Sequence, residues 1–211
     1  SELAPEYQVC QTGLQQTPID VENAVLAEVD ALNLSYQAAP LKLLNNGHTI
    51  QVNYAPGSSI QWNGETFNLV QFHFHHPSEH HVAGSPYDME MHLVHRNSAG
   101  DRLAVIGVFL QQGEANALLQ PIWDAMPLAK SDERTVENVQ IDVAQLLPTD
   151  RRFYTYYGSL TTPPCSEGVL WFVMEQPIEV SQEQIRKFAA LFPLNARPIQ
   201  PINYRYVLRS S

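Results

Sequence analysis

Hydrophobic and polar positions alternate with a period of two from Asn68 to His75, which is typical of a strand with two different faces. Gln71, His73 and His75 fall on one face, and two phenylalanines fall on the other. We therefore predict a strand here that carries two imidazoles side by side.

A second alternating segment runs from Met89 to His95. One face carries Glu90, His92 and Val94, and the opposite face carries Met89, Met91, Leu93 and His95. If this strand pairs with the first one, His92 completes a face of three histidines with His73 and His75.

The rest of the chain predicts mainly short strands. Segments rich in valine, isoleucine, tyrosine and phenylalanine are separated by turn signals at Asn46-Gly47, Pro56-Gly57 and Asn63-Gly64. Helical patterns are few, from Glu114 to Met126 and from Gln182 to Phe192, and Ser181 and Gln184 predict a capping box for the second. We predict a β-rich fold.

Composition narrows the class of protein. With 211 residues, 44% of them hydrophobic, the chain is long enough for one domain over residues 1–211. The net charge of -10 opposes binding to nucleic acid and to anionic membranes. No apolar run is as long as a membrane-spanning helix, so we expect a mature, soluble form.

Seven of the eight histidines lie between His73 and His95, beside carboxylates. Neutral imidazole is the commonest side-chain metal ligand, and three histidines without a cysteine-rich fourth ligand are typical of a catalytic Zn²⁺ site with one open position. The strand phase also places Gln71 beside His73 and Glu90 beside His92, where each can bind the second ring nitrogen. For His95, on the apolar face, we favour a core role.

Three further histidines of this region lie around Pro77, where we expect the strand to continue into a loop: His76, His80 and His81. We predict surface positions or outer contacts for them rather than metal ligation.

Several motifs resemble those of the α-class carbonic anhydrases, in particular their bacterial, exported branch. The most specific are Gln71-Phe72-His73-Phe74-His75, Ser78-Glu79-His80, Glu90-Met91-His92-Leu93-Val94-His95 and Gly158-Ser159-Leu160-Thr161-Thr162-Pro163-Pro164-Cys165. Further similar segments are residues 16–20, 44–48, 103–109, 169–171 and 197–201, so the resemblance covers almost the whole chain.

The resemblance implies a mainly β (α+β) fold, with a large, twisted, mostly antiparallel central sheet and short peripheral helices. Cis peptide bonds are expected at Thr17-Pro18 and Pro163-Pro164. It also implies a lyase that binds Zn²⁺ through His73, His75 and His92. This enzyme hydrates carbon dioxide reversibly to bicarbonate and a proton, through hydroxide generated at the metal.

By the same resemblance, Thr161 accepts a hydrogen bond from the hydroxide and donates one to Glu79. Thr162 contacts bicarbonate or ordered water. His48, the one histidine outside the cluster, matches a proton shuttle, because an imidazole with a pKa near 6.5 accepts and releases protons near neutrality.

A nonpolar substrate needs an apolar recess beside the metal. Val94 shares the face of His92, and four other residues match the hydrophobic wall of the family, namely Val105, Leu160, Val169 and Trp171. These side chains can belong to the core and to the wall at once.

Cys10 and Cys165 match a disulfide of exported members that ties the amino-terminal segment to the loop of Thr161 and Thr162. Two free, buried thiols are the alternative. A disulfide predicts an oxidising compartment, so we expect a periplasmic or secreted protein. The sequence does not settle the oligomeric state, and a homodimer is one option.

Two other functions compete with a carbonic anhydrase. The spacing His73-x-His75-x-x-x-Glu79 also resembles the first metal motif of cupins, which hold iron or manganese on a β-barrel, although the glycines that flank that motif are missing. The second alternative is a catalytically silent binding module of the same family. Such relatives typically lose a zinc ligand, whereas all three histidines are present here.

Overall fold

The computed structural model describes residues 7–211, and strands dominate it. The strands are β1 (Asp20–Val21), β2 (Val25–Leu26), β3 (Asn33–Ser35), β4 (Ala39–Asn45), β5 (Ile50–Asn53), β6 (Ser59–Trp62), β7 (Glu65–His75), β8 (His81–Val82), β9 (Ser85–Pro86), β10 (Met89–Asn97), β11 (Leu103–Gln112), β12 (Arg134–Ile141), β13 (Phe153–Ser159), β14 (Glu167–Met174), β15 (Ile178–Val180) and β16 (Leu208–Arg209).

Most of these strands join one thirteen-stranded sheet. Its main path is β12-β4-β5-β7-β10-β11-β14-β13-β16-β2, with β3, β6 and β15 attached, and β1, β8 and β9 form a small separate sheet. Antiparallel pairs predominate in the large sheet, but β11 runs parallel to β14 and β15, and β16 runs parallel to β2. The predicted large, mostly antiparallel sheet with short helices is therefore confirmed.

The two strands predicted from alternation lie next to each other at the centre of this sheet. β7 and β10 pair in antiparallel register, with His92 opposite His73 and Glu90 opposite His75. Since directly opposite residues point to the same side of a sheet, the three histidines share one face, as predicted.

Apolar side chains pack on both sides of the sheet. Phe72 and Phe74 are fully buried in the larger hydrophobic cluster, on the side of β7 away from the histidines. A smaller cluster contains Val105 and Trp171. Alternation along β11 explains the division, because Ile106 points into the larger cluster and its neighbour Val105 into the smaller one.

The α-helices are short, with α1 at Val9–Thr12, α2 at Gln120–Ala125 and α3 at Gln182–Leu191; a 3₁₀-helix spans Val143–Leu146. The prediction for α3 is confirmed, including the capping box of Ser181 and Gln184. The predicted helix from Glu114 to Met126 was too long. The Oδ1 of Asn116 accepts the N–H groups of Leu118 and Leu119, which holds a turn where the helix was expected to begin.

Both predicted cis peptide bonds, Thr17-Pro18 and Pro163-Pro164, are confirmed, and the structure adds a third at His76-Pro77. Cys10 and Cys165 form the expected disulfide, with their Cα atoms 5.1 Å apart. It ties α1 to the loop that follows β13. Among residues 7–211, no helix is long and apolar enough to cross a membrane.

Candidate metal centre

Three imidazoles converge on the central strands. The ring centroids of His73 and His75, from β7, lie 5.0 Å apart, and that of His92, from β10, lies 5.4 Å and 4.5 Å from them. One nitrogen of each ring lies within 4.8 Å of the others. The pairing of β7 with β10 therefore brings together the ligand set expected from the sequence.

Hydrogen bonds occupy one nitrogen of each ring. The Nδ1 of His73 lies 2.9 Å from Gln71 Oε1, and the Nε2 of His92 lies 2.9 Å from Glu90 Oε1, as the strand phase predicted. These oxygens only accept, so each ring donates an N–H to them, and its other nitrogen carries a lone pair when the ring is neutral.

The partner of His75 was missed by sequence analysis. Its Nδ1 donates to the backbone carbonyl oxygen of Asn195, 3.0 Å away and 120 residues later in the chain. No sequence signal points to this contact, because any residue supplies a backbone carbonyl. The Nε2 of His75 is buried and has no hydrogen-bond partner among the described residues. A buried nitrogen without a partner, beside two other lone pairs, fits a metal ion.

Burial determines the charge of two of the rings. It lowers the pKa of His73 well below its ordinary value, and the neighbouring rings of His75 and His92 lower it further. Burial also lowers the pKa of His75, although the charge of Glu79 offsets part of that effect. These two imidazoles are neutral near pH 7, which is the form that binds a metal.

Glu90 acts differently on His92. Burial disfavours the charged ring of His92, but the charge of Glu90 and its hydrogen bond outweigh burial and raise the pKa of His92. Burial also disfavours the charged form of Glu90 and by itself would raise its pKa. The charges and hydrogen bonds of His80 and His92 outweigh burial and hold the pKa of Glu90 well below its usual range. Glu90 is therefore a buried carboxylate, held there by the two rings that donate to it.

A buried network surrounds Glu90. His80 donates from Nδ1 to Glu90 Oε1 at 2.7 Å, and the N–H groups of Glu79 and His80 donate to Glu90 Oε2. The Nε2 of His80 lies 2.6 Å from the hydroxyl of Tyr156, which lies 3.2 Å from Thr17 Oγ1. His80, which was predicted to make outer contacts, thus binds the carboxylate that lies behind His92. The sequence did not point to Tyr156 or Thr17 as part of this network.

The glycine at position 107 makes room for this carboxylate. Gly107 lies opposite His92 on β11, and a Cβ atom there would come within 2.8 Å of Glu90 Oε1. A side chain at this position would displace the carboxylate that orients His92.

Glu79 is buried between the site and the carboxyl-terminal segment. Its Oε1 accepts the backbone N–H of Arg197 at 2.8 Å, while its Oε2 is buried without a hydrogen-bond partner in the described part of the chain. No hydrogen bond joins Glu79 to Thr161 within residues 7–211, so the expected contact is not formed in this structure. The Oε1 of Glu79 accepts from Arg197, whereas its Oε2 accepts from none of the described residues.

A cavity of about 820 Å³ opens beside the histidines. His73, His75, the predicted shuttle His48 and the predicted substrate contact Thr162 all line it, and Tyr7, which sequence analysis did not single out, lines it as well. His48 is exposed, so it lies where the cavity meets solvent.

The five predicted wall residues lie together in the smaller hydrophobic cluster. Val105, Val169 and Trp171 are buried in it, and Val94 and Leu160 pack against it half-buried. The ring of Trp171 lies 4.9 Å from that of His92. The structure thus places an apolar cluster beside one of the three histidines, although none of these five residues is among those that line the cavity.

The other histidines lie outside the converging set. His95 is fully buried on the apolar face of β10, where its Nε2 lies 2.8 Å from the hydroxyl of Tyr36, so the predicted core position is confirmed. His76 and His81 are half-buried.

Three histidines that converge on a large mixed sheet, two of them lining a cavity, form a group that could hold a metal ion, as in the class of enzymes with a three-histidine metal site. The sequence matches the family described as eukaryotic-type carbonic anhydrase over residues 2–211. The chain belongs to this family and is an enzyme. The general reaction of the family is the hydration of carbon dioxide.

Relatives agree across nearly the whole chain. A carbonic anhydrase from Nostoc sp. is 53% identical, over 99% of this chain and 81% of that protein. A hyperthermostable carbonic anhydrase identified from an active hydrothermal vent chimney superimposes with a TM-score of 0.95 at 43% identity, covering 100% of this chain and 94% of that one. The α-carbonic anhydrase from Thermovibrio ammonificans, solved with the inhibitor sulfanilamide, gives a TM-score of 0.94 at 42% identity, covering 98% and 92%. The cupin interpretation is therefore wrong.

Proposed function

We propose that this chain catalyses the reversible hydration of carbon dioxide at a zinc ion held by His73, His75 and His92. The observation that carries the proposal is the set of three ring nitrogens that face one point, each left free because the other nitrogen of its ring is hydrogen-bonded. Three histidine nitrogens, with no fourth protein ligand beside them within residues 7–211, suit a catalytic zinc site.

When bound, zinc supplies a Lewis acid that lowers the pKa of a water molecule to about 7 and so provides hydroxide at neutral pH, an effect for which carbonic anhydrase itself is the standard example. The residues behind the ligands orient them. Gln71, Glu90 and the carbonyl of Asn195 fix which nitrogen of each ring faces the metal.

Glu79 and Thr161 orient the nucleophile in this proposal. The buried Oε2 of Glu79 has an unmet capacity to accept a hydrogen bond, and the Thr161 hydroxyl is the donor that we assign to it. Once Thr161 donates to Glu79, its oxygen can only accept, which would align the O–H of a hydroxide. Thr162, on the cavity wall, would contact bicarbonate.

The apolar cluster beside His92 would receive the substrate. Carbon dioxide offers few sites for hydrogen bonding, so a surface formed by Val94, Val105, Leu160, Val169 and Trp171 suits it better than a polar one.

The direct test is stopped-flow carbon dioxide hydration with zinc-loaded protein and with protein treated with a chelator. We expect rapid hydration by the first, loss of activity in the second and recovery when zinc is added back. A folded, zinc-binding protein without activity would instead favour the silent binding module. Activity that survives complete chelation would exclude the zinc mechanism.

His48 is proposed to export the proton. In the His48→Ala variant we expect turnover in weak buffer to fall about tenfold or more. The fall should be smaller than the roughly 100- to 10,000-fold that loss of a general acid or base typically causes, because solvent in the open cavity also carries protons. Added imidazole should restore part of the rate, and kcat/KM should stay near that of the wild type. His81→Ala, a histidine away from the cavity, is the matched control. Unchanged turnover of His48→Ala in weak buffer would remove the assignment.

The disulfide supports a protein that matures in an oxidising compartment, and we propose a periplasmic or secreted location. Strands from near both ends of the chain, β2 and β16, join the same sheet, which supports one domain over residues 1–211.

A further inference from the structure

Asn195 lies on the cavity wall and makes five hydrogen bonds to other described residues. Its backbone carbonyl accepts from His75 Nδ1 at 3.0 Å, and its backbone N–H donates to the carbonyl of His76 at 3.1 Å. Its side-chain Oδ1 accepts the N–H of His76 at 2.7 Å. Three of its bonds thus hold it against the end of β7, where the ligand His75 lies.

The side-chain Nδ2 of Asn195 reaches further. It donates to the carbonyl of Phe74 at 3.0 Å and to the carbonyl of His48 at 2.9 Å. One NH₂ group therefore joins the strand that carries a metal ligand to the turn that carries the proposed shuttle. These two segments are 26 residues apart in sequence, and Asn195 lies 147 residues beyond His48.

Other hydrogen bonds also hold the turn at His48, both within the turn and between the turn and β7. Asn46 Oδ1 accepts the N–H groups of His48 and Thr49, and Thr49 Oγ1 donates to the carbonyl of Phe74 at 2.6 Å. None of these bonds engages the carbonyl of His48. Among residues 7–211, the hydrogen bond from Asn195 is the one that joins a group of His48 itself to a residue outside its turn.

We propose that Asn195 is a positioning residue for proton export, because its side-chain amide holds the backbone of His48 at a set distance from β7, the strand that carries His73 and His75. The inference rests on the proposed role of His48. Proton transfer across a cavity depends on the distance and orientation of donor and acceptor, so a loosened turn would slow this step and leave the hydration step nearly unchanged.

The experiment measures carbon dioxide hydration by zinc-loaded Asn195→Ala, together with His48→Ala and the double variant. The backbone carbonyl that binds His75 survives this substitution, so zinc affinity should be retained. We expect kcat in weak buffer to fall about two- to tenfold, the factor that corresponds to loss of the hydrogen bond to His48, one of the three that this side chain makes. The value of kcat/KM should be preserved, imidazole should restore the rate, and the double variant should be no slower than His48→Ala.

A second variant distinguishes the role of the side-chain oxygen of Asn195 from that of its side-chain nitrogen. Asn195→Asp keeps an oxygen for the N–H of His76 but replaces the donor with an oxygen that faces two carbonyls. We expect it to lose proton export as Asn195→Ala does. Wild-type export in Asn195→Asp would assign the effect to the His76 contact and overturn the proposal.

The matched control is Asn116→Ala. Asn116 is half-buried, and its side chain likewise bonds backbone groups through both amide atoms, but it does not line the cavity. It should keep the buffer dependence of the wild type. If kcat, kcat/KM and zinc affinity of Asn195→Ala fall together without rescue by imidazole, the role is only structural and the proposal fails. A slow His48→Ala with a normal Asn195→Ala overturns this role alone, whereas a normal His48→Ala overturns the shuttle and this role with it.

Discussion

Replacing His92 with alanine is expected to remove carbon dioxide hydration almost completely and to weaken zinc binding more than any change behind the ligands. Loss of an outer partner of a metal ligand typically costs about 10- to 100-fold in affinity or activity, and loss of the ligand itself should exceed that range. Two histidines would remain, too few to hold zinc in a tetrahedral site.

The expected effect has a second component in the network behind His92. The alanine variant deletes the ring that donates to Glu90 Oε1 and leaves a fully buried carboxylate with His80 and two backbone N–H groups as donors. Removing one partner of a buried charge is strongly destabilising, by about 3 to 5 kcal/mol where the charge is left unpaired. The remaining donors of Glu90 should keep the cost below that range.

Three variants form a graded series that isolates the ligand. His92→Ala removes the ligand, Glu90→Gln weakens only the group behind it, and His81→Ala changes a half-buried histidine outside the converging set. We expect the loss of zinc affinity, measured by competition with a chelator, to decrease in that order, with no loss for His81→Ala.

Thermal unfolding gives a readout that does not depend on turnover. A metal that binds only the folded state raises the melting temperature, so added zinc should stabilise the wild type and not His92→Ala. If His92→Ala bound zinc as tightly as the wild type and remained active, the proposed ligand set would be wrong.

Strand phase explains why the convergence of the three histidines could be predicted from the sequence. A period of two fixes which side chains share a face, and both segments were long enough to show it, so His73, His75 and His92 followed with Gln71 and Glu90. The alternation is not perfect. The register between β7 and β10 shifts by one residue, so that His95 pairs with Leu69 although Val94 pairs with Gln71. Such a shift depends on packing between strands and has no signal in either strand alone.

The contacts that could not be predicted come from distant parts of the chain. Asn195, Tyr156 and Thr17 are brought to the site by contacts between distant segments, and each is an ordinary polar residue in its own segment. The start of α2 was predicted wrongly for a local reason, because the side chain of Asn116 competes with the helix for backbone N–H groups. Family resemblance supplied Glu79, Thr161 and the disulfide, which periodicity alone would not have indicated.

His95 is expected to make the fold less stable in acid, independently of the metal. Burial lowers the pKa of this ring from 6.5 to about 4, although the backbone of Ala104 and Leu93 offsets part of the effect. The folded state then binds the proton more weakly than the unfolded state does, so the unfolded chain takes up more protons between these two values. The stability that the neutral ring provides is complete above about pH 6.5 and is lost as the pH falls toward 4.

The predicted loss from this one group is about 3 kcal/mol between pH 6.5 and pH 4, because each unit of pKa difference corresponds to about 1.4 kcal/mol. Tyr36 reinforces the neutral form. Burial raises the pKa of Tyr36, so its hydroxyl stays protonated and can donate to the Nε2 of His95. A protonated His95 would have no lone pair on that nitrogen, so the hydroxyl of Tyr36 could no longer donate to it.

The test is chemical unfolding of metal-free wild type and His95→Gln at several pH values, with His81→Gln as the control. Glutamine offers Tyr36 a hydrogen-bonding group but cannot take up a proton, so the variant should lose less stability toward pH 4 than the wild type, by about 3 kcal/mol. Metal-free protein is used because zinc release in acid would add its own pH dependence. His73 and His75 also have lowered pKa values and contribute equally to all three proteins, so they cancel in the comparison. Parallel curves for wild type and His95→Gln would show that His95 does not govern the acid sensitivity of the fold.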